Sequence, residues 1–378
     1  MNLQHKIILS LGSNKGDTKQ NIIDAVFCLH NEVGTIIRAS SLYKSASWGF
    51  TSDSFLNCNV LLHSTKTAGA ILKLIQKIEK KMGRTASKST FYEARTIDID
   101  IISIDDTVVN TQQLQIPHKF LPDRLFVLLP LQEINARWTH PVLKKTVAEL
   151  IAQTSDKNEC TRLEQFAIPI HKMQFQKYNY IAIEGNIGAG KTTLTTKIAE
   201  DFNAKTVLER FADNPFLPKF YKDQNRYAFV LEMSFLADRY QQVSDDLRQF
   251  DLFTDFIIAD YHIFKSLIFA KVTLPEEEFR LYKTVFDIIY KEMPKPDLYV
   301  YLYQNTDRLL QNIKQRKRGF EQEIPANYLE KINGGYLDYI KSQKELNVLI
   351  IDVSDKDFVK NQLDYLFVLE KICSQLAL

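Results

Sequence analysis

Apolar and polar positions along this chain keep two different rhythms. In the first half, an apolar run over residues 6–11 reads as a strand and stops at Gly12-Ser13-Asn14, a turn signal. Ile22, Ala25, Val26 and Leu29 share one face at helical spacing and predict a helix over 21–30. Residues 38–43 and 57–63 read as strands. Ile71, Leu74, Ile75 and Ile78 predict a helix over 68–82, with Gly83 as its stop. Ile97-Asp98-Ile99-Asp100-Ile101 alternates strictly, which puts both aspartates on one face of a strand and the isoleucines on the other. Residues 141–152 read as a last helix, and 157–177 lack a period and read as a connector. Beyond them, strand candidates at 180–183, 206–208, 256–259, 298–302 and 348–351 are separated by long helical stretches. That alternation predicts a parallel α/β sheet.

The connector is followed at once by chemistry. Gly185-Asn186-Ile187-Gly188-Ala189-Gly190-Lys191-Thr192-Thr193 fits the phosphate-binding loop pattern, between a strand and a helix. That arrangement aims backbone N–H groups at phosphate, lays Lys191 along the β- and γ-phosphates and offers the Thr192 hydroxyl to Mg²⁺. A glycine-rich turn with a solvated lysine is the bland alternative, and the flanking strand and helix weigh against it. Ligands of parallel sheets sit at the carboxyl ends of the strands. Glu209 lies at such an end, where an acceptor hydroxyl could be reached. Glu232 and Arg239, seven apart on a predicted helix over 229–240, share a face with Phe235 and Leu236 and suit recognition of a flat polar base. Arg316-Lys317-Arg318 is a dense basic run that reads as a lid over transferred phosphate, or else as a solvated surface run.

In the first half, Asp98 and Asp100 would repel each other unless a divalent cation lay between them, and oxygen ligands suggest Mg²⁺. An exposed polar strand face is the alternative. Pro117-His118, Arg124 and Phe126 make a second polar cluster, and Phe55 with Asn57 a third.

Composition changes this picture little. The 378 residues suffice for two or three domains, and a net charge of +2 gives no global field for nucleic acid or membrane. Four cysteines without a CxxC pair read as reduced thiols in a cytoplasmic protein. No signal peptide is evident, and the apolar runs are too short to span a bilayer.

Gly12-Ser13-Asn14, Phe55-Leu56-Asn57, Glu79 with Gly83-Arg84, the stretch from Arg95 to Asp100, and Pro117-His118 through Arg124 and Phe126 come in an order that resembles 6-hydroxymethyl-7,8-dihydropterin pyrophosphokinase. The resemblance covers residues 1–156 and implies a small α+β, ferredoxin-like fold. It implies that Asp98 and Asp100 hold Mg²⁺ on ATP and that Asn57 bonds the pterin. Tyr92 and Phe126 would stack on the pterin, while Arg84, Arg95, His118 and Arg124 contact the triphosphate. A diphosphate would pass from ATP to the hydroxymethyl oxygen and leave AMP. Ala86 stands where relatives often have a second arginine, and Glu93-Ala94 where they have Gly-Pro.

Residues 178–378, after the connector 157–177, are similar to the deoxynucleoside kinases. The phosphate loop, Glu209, Asn214-Pro215-Phe216-Leu217, the Glu232–Arg239 helix and the arginines leading to Tyr328-Leu329 carry the likeness. It implies a P-loop kinase homodimer in which Glu209 is the general base for the 5′-hydroxyl, Arg316 and Arg318 are lid arginines, and Glu232 stands where relatives have a base-reading glutamine. Asp260-Tyr261-His262 replaces an acidic-Arg-Ser triplet, so that arginine is missing, with Asp260 or Arg239 to take over part of its work. The stretch 231–236 looks most like purine kinases, which points to deoxyadenosine; deoxyguanosine and deoxycytidine stay open. The whole chain is thus expected to be a bifunctional transferase acting on small molecules with ATP and Mg²⁺. Competing readings are a catalytically inactive nucleotide-sensing domain regulating its neighbour, and a generic P-loop kinase.

Overall fold

The computed structural model describes the chain apart from residues 1–3, 47–52, 85–93, 211–213, 249–252, 292, 317, 319–320, 323, 344–345 and 376–378. Two compact units emerge, Met1–Met173 and Gln174–Leu378.

The first unit contains β1 (His5–Ser13), α1 (Thr18–Glu32), β2 (Thr35–Ala39), β3 (Tyr43–Ser45), β4 (Phe55–Ser64), α2 (Ala68–Lys81) and β5 (Asp98–Ile104). A short hairpin, β6 (Val109–Asn110) and β7 (Gln115–Ile116), leads to α3 (Leu125–Asn135), α4 (Val147–Gln153) and β8 (Cys160–Arg162). Its main sheet runs β5-β1-β4-β3-β8, with β2 also paired to β4. Its β1 pairings with β4 and β5 and the β3 pairings are antiparallel. Ile8, Leu61 and Ile102 pack under α3 and α4 with Leu128, Leu131 and Leu150. Ile7 and Leu9 alternate to the opposite face and are equally buried.

The four apolar residues that predicted α1 are its buried face. The helix begins three residues earlier than expected because Asp17 caps it, its carboxylate accepting from the Gln20 N–H at 3.0 Å. The strand expected over 38–43 is broken. The Ser40 hydroxyl donates to the Ser41 carbonyl, a local bond that competes with a ladder, and the Ser41 hydroxyl is drawn away to Glu133. Only the second part of 141–152 is helical. The His140 ring accepts from the N–H groups of Val142 and Leu143, which holds a turn, and α4 starts from the Thr146–Glu149 capping box. Part of the stretch read as a connector is sheet, since β8 pairs with β3.

The second unit contains β9 (Tyr180–Gly185), α5 (Lys191–Phe202), β10 (Lys205–Val207), α6 (Leu217–Lys222), α7 (Gln224–Arg248), β11 (Ile257–Ala259), α8 (Phe264–Thr273) and α9 (Glu276–Tyr290). It continues with β12 (Leu298–Tyr303), α10 (Thr306–Arg316), α11 (Ala326–Ser342), β13 (Val348–Asp352) and α12 (Gln362–Ser374). The five strands lie in the order β10-β11-β9-β12-β13, all parallel, as the alternation of strands and helices predicted. Tyr180 and Ala182 pack with residues of α7, α8, α9 and α11, while Ile181 and Ile183 face the other way. Strands covered on both faces read as continuous apolar runs, which is why they were legible. The β10 and β11 strands lie on one side of β9 and β12 on the other, so β9 is the topological switch point. Among the described residues no helix is long and apolar enough to cross a membrane.

Gly34, between α1 and β2, has no room for a side chain: a Cβ there would lie 2.1 Å from the His63 carbonyl oxygen. That neighbour is backbone in β4 and cannot rotate away. Gly34→Ala is expected to destabilise the first unit by roughly 1–3 kcal/mol or more. Denaturant unfolding followed unit by unit should show the first transition moving and the second unchanged.

Candidate active sites

In the first unit the sheet register assembles the site. Gly12 of β1 lies opposite Asn57 of β4 on one side and Asp98 of β5 on the other. One row across three strands thus joins the expected pterin residue to Asp98, the first of the expected metal carboxylates. Gly12 permits the approach, since a Cβ would meet Asn57 Oδ1 at 3.1 Å. The Asn57 amide donates to Ser45 Oγ at 3.0 Å, and the residue is almost fully buried. The Ser13-Asn14 turn fixes the entry to β5. Asn14 Oδ1 accepts from the Arg95 N–H at 2.7 Å, and Ser13 donates to the Thr96 carbonyl at 2.6 Å.

Three arginines and a histidine surround the two aspartates. Arg84 Nη1 is 3.0 Å and Arg95 Nη1 2.8 Å from Asp98. Arg124 Nη1 is 3.3 Å and His118 Nε2 3.8 Å from Asp100. Burial, with the neighbouring Asp98 charge, raises the Asp100 carboxyl, and burial lowers the His118 imidazole. Two carboxylates this close, one of them costly to ionise beside the other, are a donor set that a divalent cation fits. Arg124 also lies over the rings of Phe120 and Phe126, at 5.2 and 5.7 Å from their centroids. Glu79 is a support that carried no assigned role in the sequence. Buried against the start of β5, it pairs with Arg84 and accepts from the Ile99 N–H at 2.9 Å. Tyr92 and Ala86 lie outside the described residues.

In the second unit the phosphate loop turns between β9 and α5. Gly188 and Gly190 have φ of 84° and 85°, a region that favours glycine, and the Gly190 site abuts the Phe358 ring. The Asn186 amide donates to the Leu329 carbonyl and to Asn333, and Asn312 donates to the Gly188 carbonyl, which ties the loop to α10 and α11. Lys191 Nζ donates to the carbonyls of Gly185 and Asn186 at 2.9 and 3.0 Å. Burial, reinforced by nearby Lys265, brings the Lys191 ammonium down to about 8.

The carboxyl ends of β10 and β11 complete the site. Asp260, just past β11, accepts from the Thr192 hydroxyl with one oxygen and from the Glu209 N–H at 2.7 Å with the other. It therefore sits against the phosphate loop beside Thr192, rather than contacting Arg239. Glu209 Oε1 accepts from Arg239 Nε at 3.0 Å and Nη2 at 2.6 Å. Its other oxygen accepts from Lys265 Nζ at 2.6 Å. Burial works against the Glu209 charge, but Lys265 and Arg239 outweigh it and hold the carboxyl well below the usual carboxylate range.

Glu232 and Arg239 line the same cavity, as their spacing on α7 predicted. Glu232 is 3% exposed and accepts from the Thr273 hydroxyl at 3.2 Å; burial pushes its carboxyl up to about 7. Arg316 and Arg318 reach the cavity and both pair with Glu321. Lys265, Glu321 and Glu184 carried no role in the reading of the sequence. A buried acid in an apolar context was the available signal for Glu184. It accepts from the His262 N–H and the Tyr336 hydroxyl, and so couples the phosphate-loop strand to the turn after β11.

Two family models match this chain. One describes a deoxynucleoside kinase and covers residues 181–376. The other describes 7,8-dihydro-6-hydroxymethylpterin-pyrophosphokinase and covers residues 8–136. A deoxyguanosine kinase of Bacillus subtilis (strain 168) is 40% identical over 190 residues, which is 49% of this chain and 92% of that protein. A 2-amino-4-hydroxy-6-hydroxymethyldihydropteridine pyrophosphokinase of Aquifex aeolicus (strain VF5) is 36% identical over 160 residues, 42% of this chain and 98% of that protein. The chain belongs to both families, one in each unit. A deoxyadenosine/deoxycytidine kinase of Bacillus subtilis (strain 168) is also similar, 29% identical over 202 residues, 52% of this chain and 93% of that protein.

Each unit of this two-family kinase carries its own phosphate-handling groups. Lys191→Ala is expected to lower deoxynucleoside phosphorylation by several orders of magnitude, about 3–4 kcal/mol or more of lost transition-state stabilisation, and to spare pterin diphosphorylation. Asp98→Asn should do the reverse. Separate assays of ADP formed with deoxynucleoside and AMP formed with hydroxymethyldihydropterin check both halves of this expectation.

Proposed function

We propose that the chain is a bifunctional transferase that diphosphorylates 6-hydroxymethyl-7,8-dihydropterin in its first unit and phosphorylates the 5′-hydroxyl of a purine deoxynucleoside in its second. The observation that carries the second activity is a buried, ionised Glu209 in the same cavity as Lys191 and Thr192. A base beside a phosphate loop needs an acceptor whose hydroxyl reaches both.

In the first unit, Asn57 and Phe126 orient the pterin, with Tyr92 as its second ring partner. Arg84, Arg95, His118 and Arg124 exchange their carboxylates for phosphate oxygens when ATP enters. Asp98 and Asp100 would hold Mg²⁺, and in the second unit Thr192 with Asp260 would do so. The ion supplies charge neutralisation on the phosphates. Arg316 and Arg318 exchange Glu321 for the transferred phosphoryl group. The small α+β fold of the first unit is read as that of the pyrophosphokinases, with the boundary between activities in the region 157–177. The second unit is read as the seat of a homodimer, and the protein as cytoplasmic.

The base is chosen at Glu232. An ionised carboxylate only accepts, and guanine presents two adjacent donors on one edge. Thymine presents one N–H between two carbonyls and is rejected. A protonated carboxyl donates and accepts, which suits adenine. Ionised Glu232 and the 40% identity to a deoxyguanosine kinase favour deoxyguanosine over the deoxyadenosine expected from sequence.

Because burial pushes Glu232 up to about 7, the carboxylate fraction rises as pH increases through that value. Preference for deoxyguanosine over deoxyadenosine is therefore expected to grow between about pH 6 and 8. Glu232→Gln should flatten that dependence and lower deoxyguanosine efficiency by about 1–3 kcal/mol. An equal mixture of the four deoxynucleosides, with ATP and the whole chain, tests this reading across pH. Phosphorylation of thymidine in preference to either purine would refute it, and absence of any phosphorylation would refute the kinase assignment itself.

A further inference from the structure

Lys265 is the second residue of α8 and only 8% exposed, yet its ammonium reaches the cavity. Its contact is Glu209 Oε2 at 2.6 Å. The opposite oxygen of that carboxylate is already held by two N–H groups of Arg239, at 3.0 and 2.6 Å. One guanidinium is enough to balance one carboxylate. A second buried cation on the same group costs desolvation and leaves these three side chains with a net positive charge, partly answered by the buried Glu184 and Glu232 carboxyls that feel Lys265. Lys265 also raises the cost of charging Lys191, so the two ammonium groups share one field across the cavity.

The two cations on Glu209 differ in kind. Arg239 is fixed: its guanidinium also lies over the Phe235 ring, 4.8 Å from the centroid, and donates to Ser266. Lys265 also lies over a ring, that of Phe269, 5.5 Å from the centroid, but it is a point charge on an unbranched stem that can rotate about its own bonds. It occupies the Glu209 oxygen that Arg239 leaves open. An acceptor hydroxyl can bond Glu209 only at that oxygen, so the ammonium and the hydroxyl compete for it.

We propose that Lys265 is a catalytic residue that moves from Glu209 to the transferred phosphoryl group when the acceptor binds. This inference rests on the kinase activity proposed above. The 5′-hydroxyl takes Glu209 Oε2. Its oxygen then bonds the γ-phosphorus of ATP as the bond from that phosphorus to the β–γ bridging oxygen breaks. The hydroxyl proton passes to Glu209, and ADP leaves with the electron pair. Lys265 stays protonated throughout and donates to a non-bridging oxygen of the phosphoryl in flight. Thus the turn after β11 lacks an arginine, but the lysine that starts the next helix brings a cation to the same carboxylate.

The test compares the whole chain with its Lys265→Ala and Lys265→Arg variants at saturating ATP and varied deoxyguanosine and deoxyadenosine. Lys265→Ala is expected to lower kcat on the order of 10²–10³-fold while KM for the nucleoside moves less than about threefold. Lys265→Arg, which keeps the charge, should recover at least tenfold of that loss. Ethylammonium added to the alanine variant should restore part of kcat. The acid limb of kcat/KM should stay in place, because Arg239 still holds Glu209 ionised. A lysine that merely shaped Glu209 would instead move that limb upward, and added amine would change nothing. Calorimetry checks that the second unit still melts cooperatively; if the alanine variant does not, the arginine variant decides by the same kcat and KM criteria. Unchanged kcat, or a loss confined to KM, in a folded variant of an active enzyme overturns the role of Lys265. A wild-type chain inactive on every deoxynucleoside overturns the kinase reading together with it.

Discussion

A carboxylate buried between two cations sets the geometry of the second unit. Glu209 comes from the end of β10, Arg239 from α7 and Lys265 from α8. Breaking the Arg239 contact would strand a buried charge, a cost of several kcal/mol. The three elements are therefore locked to one another around the point where an acceptor must sit. Asp260 extends the lock, since it accepts from the Glu209 backbone and from Thr192 of the phosphate loop. The phosphate loop, Glu209 and Asp260 are held as one constellation at the carboxyl ends of three adjacent parallel strands.

The first unit solves the same problem with different parts. Its two aspartates stand on one strand face, two residues apart, and each is met by cations from elsewhere in the fold. The arginines answer the aspartates and, in the reaction proposed above, turn to phosphate oxygens when ATP binds. Opposite charges already gathered need little reorganisation when a polyanion arrives with its metal, which is the usual basis of phosphoryl-transfer catalysis. In the second unit Glu321 holds the lid arginines in a similar way. Carboxylates that keep cations ordered for phosphate are thus common to both sites.

The main architecture was legible because burial writes itself into sequence. The three inner parallel strands, β9, β11 and β12, are covered on both faces and read as apolar runs; α1 and α2 bury one stripe each, and the stripe is visible at helical spacing. The phosphate loop was legible because backbone N–H groups can approach phosphate only where glycines stand. Misreadings fell where side chains bond their own backbone. Ser40 and Ser41 interrupt one expected strand, and the His140 ring holds a turn in place of the first part of one expected helix.

By itself, the sequence determined which chemistries are present: a phosphate loop, a pair of aspartates on one strand face, a carboxylate and a guanidinium on one helix face. These depend on local spacing, and local spacing survives in a linear string. Tertiary structure alone decided which distant groups meet. Glu209 and Lys265 are separated by 56 residues, and Gly12 joins Asn57 to Asp98 across three strands. No periodicity in the string encodes such pairings, because they are set by the order and register of strands. A lysine two residues into a helix looks like any solvated lysine until the fold buries it against a carboxylate that already has a partner.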